Sequence, residues 1–205
     1  MTRKTHWENI YSTKSANTVS WYQAHAERSL EWIAHTGIAL DAPIIDVGGG
    51  ASTLVDDLLD AGYQNITVLD LSGAALRVAQ QRLGGRADKV HWCEADVTSM
   101  ILPAQKFAVW HDRAVFHFLT ELADRKAYVE QLLHAVEPDG HIVISVFSLE
   151  GPTRCSGLPI VQYSAQTLQA ELGPRLRLIE HVNERHTTPS GAIQNFIYCH
   201  FIKRD

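Results

Sequence analysis

Short, nearly unbroken apolar runs recur along this chain: Ile44, Ile45 and Val47; Ile66 to Leu69; Val90 to Cys93; Phe107 to Trp110; and Ile142 to Phe147. Runs of that length, bounded by turn residues, fit parallel strands covered on both faces. Between them the apolar positions return every three or four residues, which is the helix period. That period predicts helices over 25–35, with Leu30, Ile33 and Ala34 inward; over 54–59; over 74–83, with Leu76, Ala79 and Leu83 inward; and over 121–136, with Leu122, Val129, Leu132, Leu133 and Val136 inward. The punctuation agrees with the periods. Ser52 stands as N-cap before 54–59 and Gly62 closes that helix. Ser72 or Gly73 opens 74–83 and Gly84-Gly85 ends it; Gly37 stops the first helix. Pro138-Asp139-Gly140 predicts a turn before strand 141–147, and Ser164 caps a helix that runs to 172 and stops at Gly173-Pro174. Two more strands, 176–185 and 192–202, flank the hairpin signal Thr187-Thr188-Pro189-Ser190-Gly191. Strands alternating with helices predict an α/β chain with a doubly wound, mostly parallel sheet and helices on both faces.

The stretch Ile44-Ile45-Asp46-Val47-Gly48-Gly49-Gly50-Ala51-Ser52 organises the rest. A buried strand, a glycine turn and a helix start together form an adenosine-cofactor site, because helix N–H groups point into the crevice. Gly48 and Gly50 remove the Cβ atoms that would hold a ligand away. A dinucleotide fingerprint wants a third glycine where Thr53 stands, which weakens a nicotinamide or flavin reading. Asp46, at the mouth of a buried strand, needs a cation or several donors. The ammonium of S-adenosylmethionine (SAM) would serve; so would backbone N–H groups of the turn.

Two further acids follow at strand ends. Asp70 lies about twenty residues after the glycines, the spacing at which a carboxylate meets ribose hydroxyls. Asp96 ends the run that starts at Val90. With these three motifs in order, the chain from about Trp7 onward resembles the class I SAM-dependent methyltransferases, as a small single-domain member of bacterial type. The resemblance implies a seven-stranded Rossmann-like sheet whose final strand is antiparallel and inserted beside the fifth. It implies that Asp46, Gly48, Gly49, Gly50 and Ser52 bind the cofactor, as the family's first motif. It also implies that Asp70 meets the ribose, that Asp96 reads the adenine amino group with Val97 beside the ring, and that Leu71 and Trp21 are further cofactor-binding residues. The product would be S-adenosylhomocysteine (SAH).

The first forty residues precede the core at 41–205 and carry Trp7, Tyr11, Trp21 and Tyr22. These aromatics pack an arm on the sheet or form a lid that excludes water from methyl transfer; the lid is the reading adopted. Strand ends line the ligand crevice in a doubly wound sheet, so His111, Asp112, Arg113 and His117 are the catalytic candidates. Asp112 or a histidine would be the base, and Arg113 would hold an anionic acceptor. Arg154 belongs to a turn-rich loop on the same side. A metal bound by His111, Asp112 and His117 is disfavoured by their spacing.

Composition trims the partners. The formal charge is −5 and no Lys/Arg run stands out, so no nucleic acid is expected. Cys93, Cys155 and Cys199 are scattered and the N-terminus lacks an apolar leader segment, which fits the cytoplasm; no stretch could span a membrane. A run such as Asn-Pro-Pro-Tyr is missing after the fourth strand. The acceptor is therefore expected to be a small molecule methylated at S, O or N, by a monomer or homodimer. A protein lysine is the alternative, prompted by the aromatic arm, and a non-catalytic or NAD-binding domain is the outside case.

Overall fold

The computed structural model describes residues 2–204; Met1 and Asp205, the outer ends of the predicted arm and core, lie outside the described residues. Two helices come first, α1 (Arg3–Thr13) and α2 (Glu27–His35). Strands and helices then alternate: β1 (Ile44–Val47), α3 (Leu54–Asp60), β2 (Ile66–Asp70), α4 (Gly73–Leu83), β3 (Val90–Glu94), β4 (Phe107–Arg113), α5 (Leu122–Ala135) and β5 (Val136–Phe147). A small ribbon of β6 (Arg154–Cys155) and β7 (Leu158–Pro159), helix α6 (Ala165–Leu172), and the long strands β8 (Leu176–Thr187) and β9 (Ile193–Lys203) complete the chain.

Seven strands form one sheet in the order β3-β2-β1-β4-β5-β9-β8. The first five are parallel; β9 runs antiparallel beside β5, and β8 pairs antiparallel with β9 at the edge. The expected mostly parallel sheet, with the last strand inserted beside the fifth, is the sheet observed. All four residues of β1 are buried, as their apolar spelling required of a central strand. One face packs Trp110, Tyr128, Leu132, Leu168 and Phe201 under α5 and α6. The other packs Ile33, Ile44, Leu54, Leu58, Leu76 and Ala79 under α2, α3 and α4. Each wholly buried leucine or isoleucine contributes roughly 1.5–3 kcal/mol.

Four local expectations are corrected. In α2 the inward residue beside Ile33 is Trp32, which stacks toward Tyr198, while Ala34 is exposed. In α5 the buried stripe is Tyr128, Leu132 and Ala135, and Leu122 is 53% exposed. The stripe rotates because the Tyr128 hydroxyl finds buried partners on β4. Pro138-Asp139-Gly140 does not separate helix from strand; it is a bulge inside β5, between the pairs Phe107–Val136 and Val109–His141, with Asp139 at φ +59°. The N-cap position of α3 is Thr53, and Ser52 instead accepts the N–H of Leu54 at 3.1 Å. The predicted cap of α6 forms a capping box between Ser164 and Thr167. Among the described residues no helix is long and apolar enough to cross a membrane.

Candidate active site

The C-terminal ends of β1, β2, β3 and β4 converge on the turn Gly48-Gly49-Gly50, as the parallel order requires. The turn is bare for a reason that differs from the one expected. A Cβ on Gly49 would overlap the Asp46 carboxylate, and one on Gly50 would overlap the Asp70 carboxylate and Ala75. Gly49 and Gly50 thus make room for the site's own acids, while a Cβ on Gly48, at φ +71°, would overlap Val115.

Asp46 is 2% exposed. Its Oδ1 meets His111 Nδ1 at 2.7 Å, because Asp46 and His111 are paired neighbours of β1 and β4. Among the described residues its Oδ2 has no hydrogen-bond partner. A buried carboxylate oxygen without a donor costs free energy unless a cation completes it. Asp70 accepts N–H bonds from Gly50 at 3.0 Å and Ser72 at 2.8 Å. Burial nevertheless pushes its carboxyl up to about 7, against the pull of those two donors. Asp96 accepts from the N–H and hydroxyl of Thr98 and stands 3.5 Å from the Arg3 guanidinium.

Two adjoining cavities open at this edge and share Tyr11, Trp21, Gly48 and Arg113 as walls. The first is also lined by Trp7, Asp70, Leu71, Asp96, Val97 and Phe118, and the second by Tyr22, Asp46, Gly49, Ser52 and His111. Gly50 lines neither; it acts through Asp70. Trp7, Tyr11, Trp21 and Phe118 form one aromatic cluster, with ring centroids 5.1–6.4 Å apart. The arm is held over the cavities by Glu8, which accepts the N–H of Gly73 at 2.7 Å at the start of α4.

Three of the four catalytic candidates are committed to the protein interior. Asp112 is wholly buried and lines neither cavity; its oxygens take the N–H groups of Val115 and Phe116 and the Tyr128 hydroxyl. Burial raises its carboxyl to about 6. His117 is likewise wholly buried, accepts the Phe147 N–H at 3.2 Å, and is lowered to about 3 by burial and then by Arg113. His111 reaches the second cavity but spends both nitrogens on Asp46 and on Ser29, the latter at 2.9 Å. Of the four candidates, Arg113 borders both cavities. Its Nε donates to Tyr198 at 3.1 Å, its Nη1 to the Trp21 carbonyl at 3.0 Å, and it lies 4.7 Å above the Phe196 ring. Arg154 turns away, onto the Gly157 carbonyl of its own loop. Its neighbour Cys155 lines the first cavity, with its thiol pushed up to about 11 by burial.

Ala95, Val115 and Leu119 also line the first cavity and were not anticipated. Ala114, beside Arg113, holds a left-handed φ of +72°, a strained setting for a residue with a Cβ and one common at functional sites.

Residues 44–140 match the family model described as "Methyltransferase domain". The chain is 28% identical over 108 residues to the "eEF1A lysine and N-terminal methyltransferase" of Bos taurus, a match that covers 53% of this chain and 15% of that protein. The chain thus spans only 15% of that relative's length, and 63% of the "EEF1A lysine methyltransferase 2" of Mus musculus, to which it is 22% identical over 156 residues. Two solved structures share the fold over nearly the whole chain. One is Burkholderia thailandensis 1,6-didemethyltoxoflavin-N1-methyltransferase, with bound 1,6-didemethyltoxoflavin and SAH; its TM-score is 0.70 at 20% identity, covering 98% of this chain and 87% of that one. The other is the N-methyltransferase NodS of Bradyrhizobium japonicum WM9 with SAH, at TM-score 0.74 and 16% identity, covering 98% and 100%.

Proposed function

We infer that this chain, which belongs to the class I SAM-dependent methyltransferases, moves the SAM methyl group to a nucleophilic atom of a small-molecule acceptor. The observation that supports this most is the set of carboxylates around one bare turn, the first of them left with a buried oxygen that no donor meets. An ammonium suits that oxygen. Vicinal hydroxyls suit Asp70, an acceptor when ionised. In this reading Asp46, Gly48, Gly49 and Ser52 hold the amino-acid end, Asp70 and Leu71 the ribose, Asp96 and Val97 the adenine, and Gly50 keeps Asp70 in place. When bound, SAM supplies a methyl group already activated by its sulfonium.

What remains for the protein is to align the nucleophile and exclude water. Residues 1–40 act as the lid, through Trp7, Tyr11 and Trp21, with Tyr22 on the amino-acid side. Asp112 and His117 are withdrawn as bases, since neither lines a cavity. That favours an acceptor able to react without an enzymic base: a thiol, which ionises near neutral pH, or an amine with a free lone pair. The Arg113 guanidinium beside the cavities favours the thiolate form or an anionic group on the acceptor.

A second reading, methylation of a protein lysine, is favoured by the likeness to relatives named for that activity. One experiment separates the two. Purified protein is given labelled SAM with a panel of low-mass thiols and amines and, in parallel, with a cell lysate. SAH formation with a low-mass acceptor and no labelled protein band supports the first reading. A labelled band without small-molecule turnover establishes the second, and no SAH in either arm overturns both.

A further inference from the structure

We propose that Ser29, His111 and Tyr198 are positioning residues that form a one-way hydrogen-bond relay from Arg113 to Asp46 and orient Asp46 for the cofactor's ammonium. The proposal rests on the function inferred above. The contacts run without a break: Arg113 Nε to Tyr198 hydroxyl at 3.1 Å, Tyr198 to Ser29 hydroxyl at 3.2 Å, Ser29 to His111 Nε2 at 2.9 Å, and His111 Nδ1 to Asp46 Oδ1 at 2.7 Å.

With the imidazole neutral, the two ends set the direction. A guanidinium can only donate and an ionised carboxylate can only accept. The Tyr198 oxygen therefore accepts from Arg113 and passes its own proton to Ser29. Ser29 in turn donates to His111 Nε2, and His111 carries its proton on Nδ1 and gives it to Asp46. Every donor along the line is used once, and the imidazole is assigned as the neutral Nδ1–H tautomer from the network. The intermediate groups are sealed from water: Ser29 is 1% exposed, His111 2% and Tyr198 0%. In such surroundings consecutive hydrogen bonds polarise one another and hold a single arrangement.

The relay has a purpose at each end. At one, it pins Asp46 by Oδ1 alone and leaves Oδ2 buried without a partner. At the other, Arg113 grips the carbonyl of Trp21, a wall common to both cavities. The lid segment and the ammonium site are thereby tied through α2, β4 and β9, elements far apart in the chain. Ser29 and Tyr198 line neither cavity; their hydrogen bonds to His111 and Arg113, which do, are their polar connection to a ligand.

The test compares two probes by calorimetry: SAH, which carries the ammonium, and 5′-methylthioadenosine, which has the same nucleoside without it. In Ser29→Ala and in Tyr198→Phe the dissociation constant for SAH rises about tenfold, the order of one lost buried hydrogen bond. For methylthioadenosine it stays within about twofold. Ser29→Thr, which keeps the hydroxyl, restores SAH binding, and the double variant binds no worse than either single one. Should Ser29→Ala not fold, Tyr198→Phe carries the comparison. Equal weakening for both probes, or none, overturns the relay. Wild-type protein that binds both probes equally well overturns the relay while sparing the proposed function. Wild-type protein that binds neither overturns the function and the relay with it.

Discussion

Tyr128 donates its hydroxyl to Asp112 at 2.6 Å, and both side chains are wholly buried. The same hydroxyl accepts from the Trp110 indole at 2.8 Å, so α5 is fastened to β4 through polar atoms in an otherwise apolar layer. This makes Asp112 a structural anchor for the turn after β4. Tyr128→Phe is expected to lower unfolding free energy by about 1–3 kcal/mol, the penalty for leaving a buried acceptor short of a donor. Asp112→Ala strips an acceptor from three donors and should cost more. Urea titration gives the stabilities, and SAH formation per folded molecule should stay near wild type at low temperature. A well-folded Asp112→Ala protein with turnover cut a hundredfold would return Asp112 to the role of base.

Asp70 gives the pH dependence of ligand binding. Its carboxyl stands near 7 in the ligand-free protein because burial disfavours the charged form. Two hydroxyl donors prefer the ionised carboxylate, so binding improves as pH rises through that value and levels off above it. SAH affinity measured by calorimetry should fall about tenfold between pH 8 and pH 6, since uptake of a single proton lowers affinity about tenfold per pH unit below the shifted value. Asp70→Asn should bind weakly and without that slope. A flat profile in the wild-type protein would remove Asp70 from the ribose.

Gly49 is a sharper probe of the turn. A methyl group there collides with the Asp46 carboxylate, whose other oxygen is pinned by His111. Gly49→Ala must therefore displace the turn or break the pair with His111. SAH binding should be lost by a factor of about a hundred or more, on the order of two strong contacts. The melting temperature should fall as well, at least as far as in Tyr128→Phe, because the collision is with a buried, pinned carboxylate. Retained SAH affinity would show that Asp46 does not meet the ligand.

Local spelling made the sheet legible. Ile44-Ile45-Asp46-Val47 announces a central strand, Ser164 a helix start, and Thr187 to Gly191 a hairpin. Arg113 was also legible as a crevice residue, from its place at the end of β4. What could not be seen is which of its neighbours would be sealed. Asp112 and His117 occupy equally suggestive positions, but their partners are Tyr128 on α5 and the backbone of Phe147 on β5. Ser29 and Tyr198 carry no motif at all; only tertiary packing puts them next to His111 and Arg113. Trp32 and Ala34 differ by half a helical turn, and Tyr198 on a distant strand decides which one faces in.

Glu8 supplies a handle on the arm. Its carboxylate accepts N–H bonds from Gly73 and Ala74, where the first turn of α4 has donors to spare and the helix dipole favours negative charge. Other polar ties from α1 include the Trp21 indole N–H donated to the Tyr11 hydroxyl at 3.2 Å, the His6–Ser156 contact at 3.4 Å, and the partly or well exposed ion pairs Arg3–Asp96, Arg3–Asp124 and Lys4–Glu94. Such pairs contribute at most about 1 kcal/mol each and fade with salt. Glu8 is thus the principal polar latch, worth on the order of 0.5–2 kcal/mol. Glu8→Ala should raise KM for both substrates several-fold and speed proteolysis within residues 2–23, while the core melts at its usual temperature. Saturating SAH should slow the same cleavage in wild type, because a ligand under Trp7, Tyr11 and Trp21 holds the arm closed. Cleavage that is indifferent to both Glu8→Ala and SAH would leave the arm a fixed part of the wall rather than a lid.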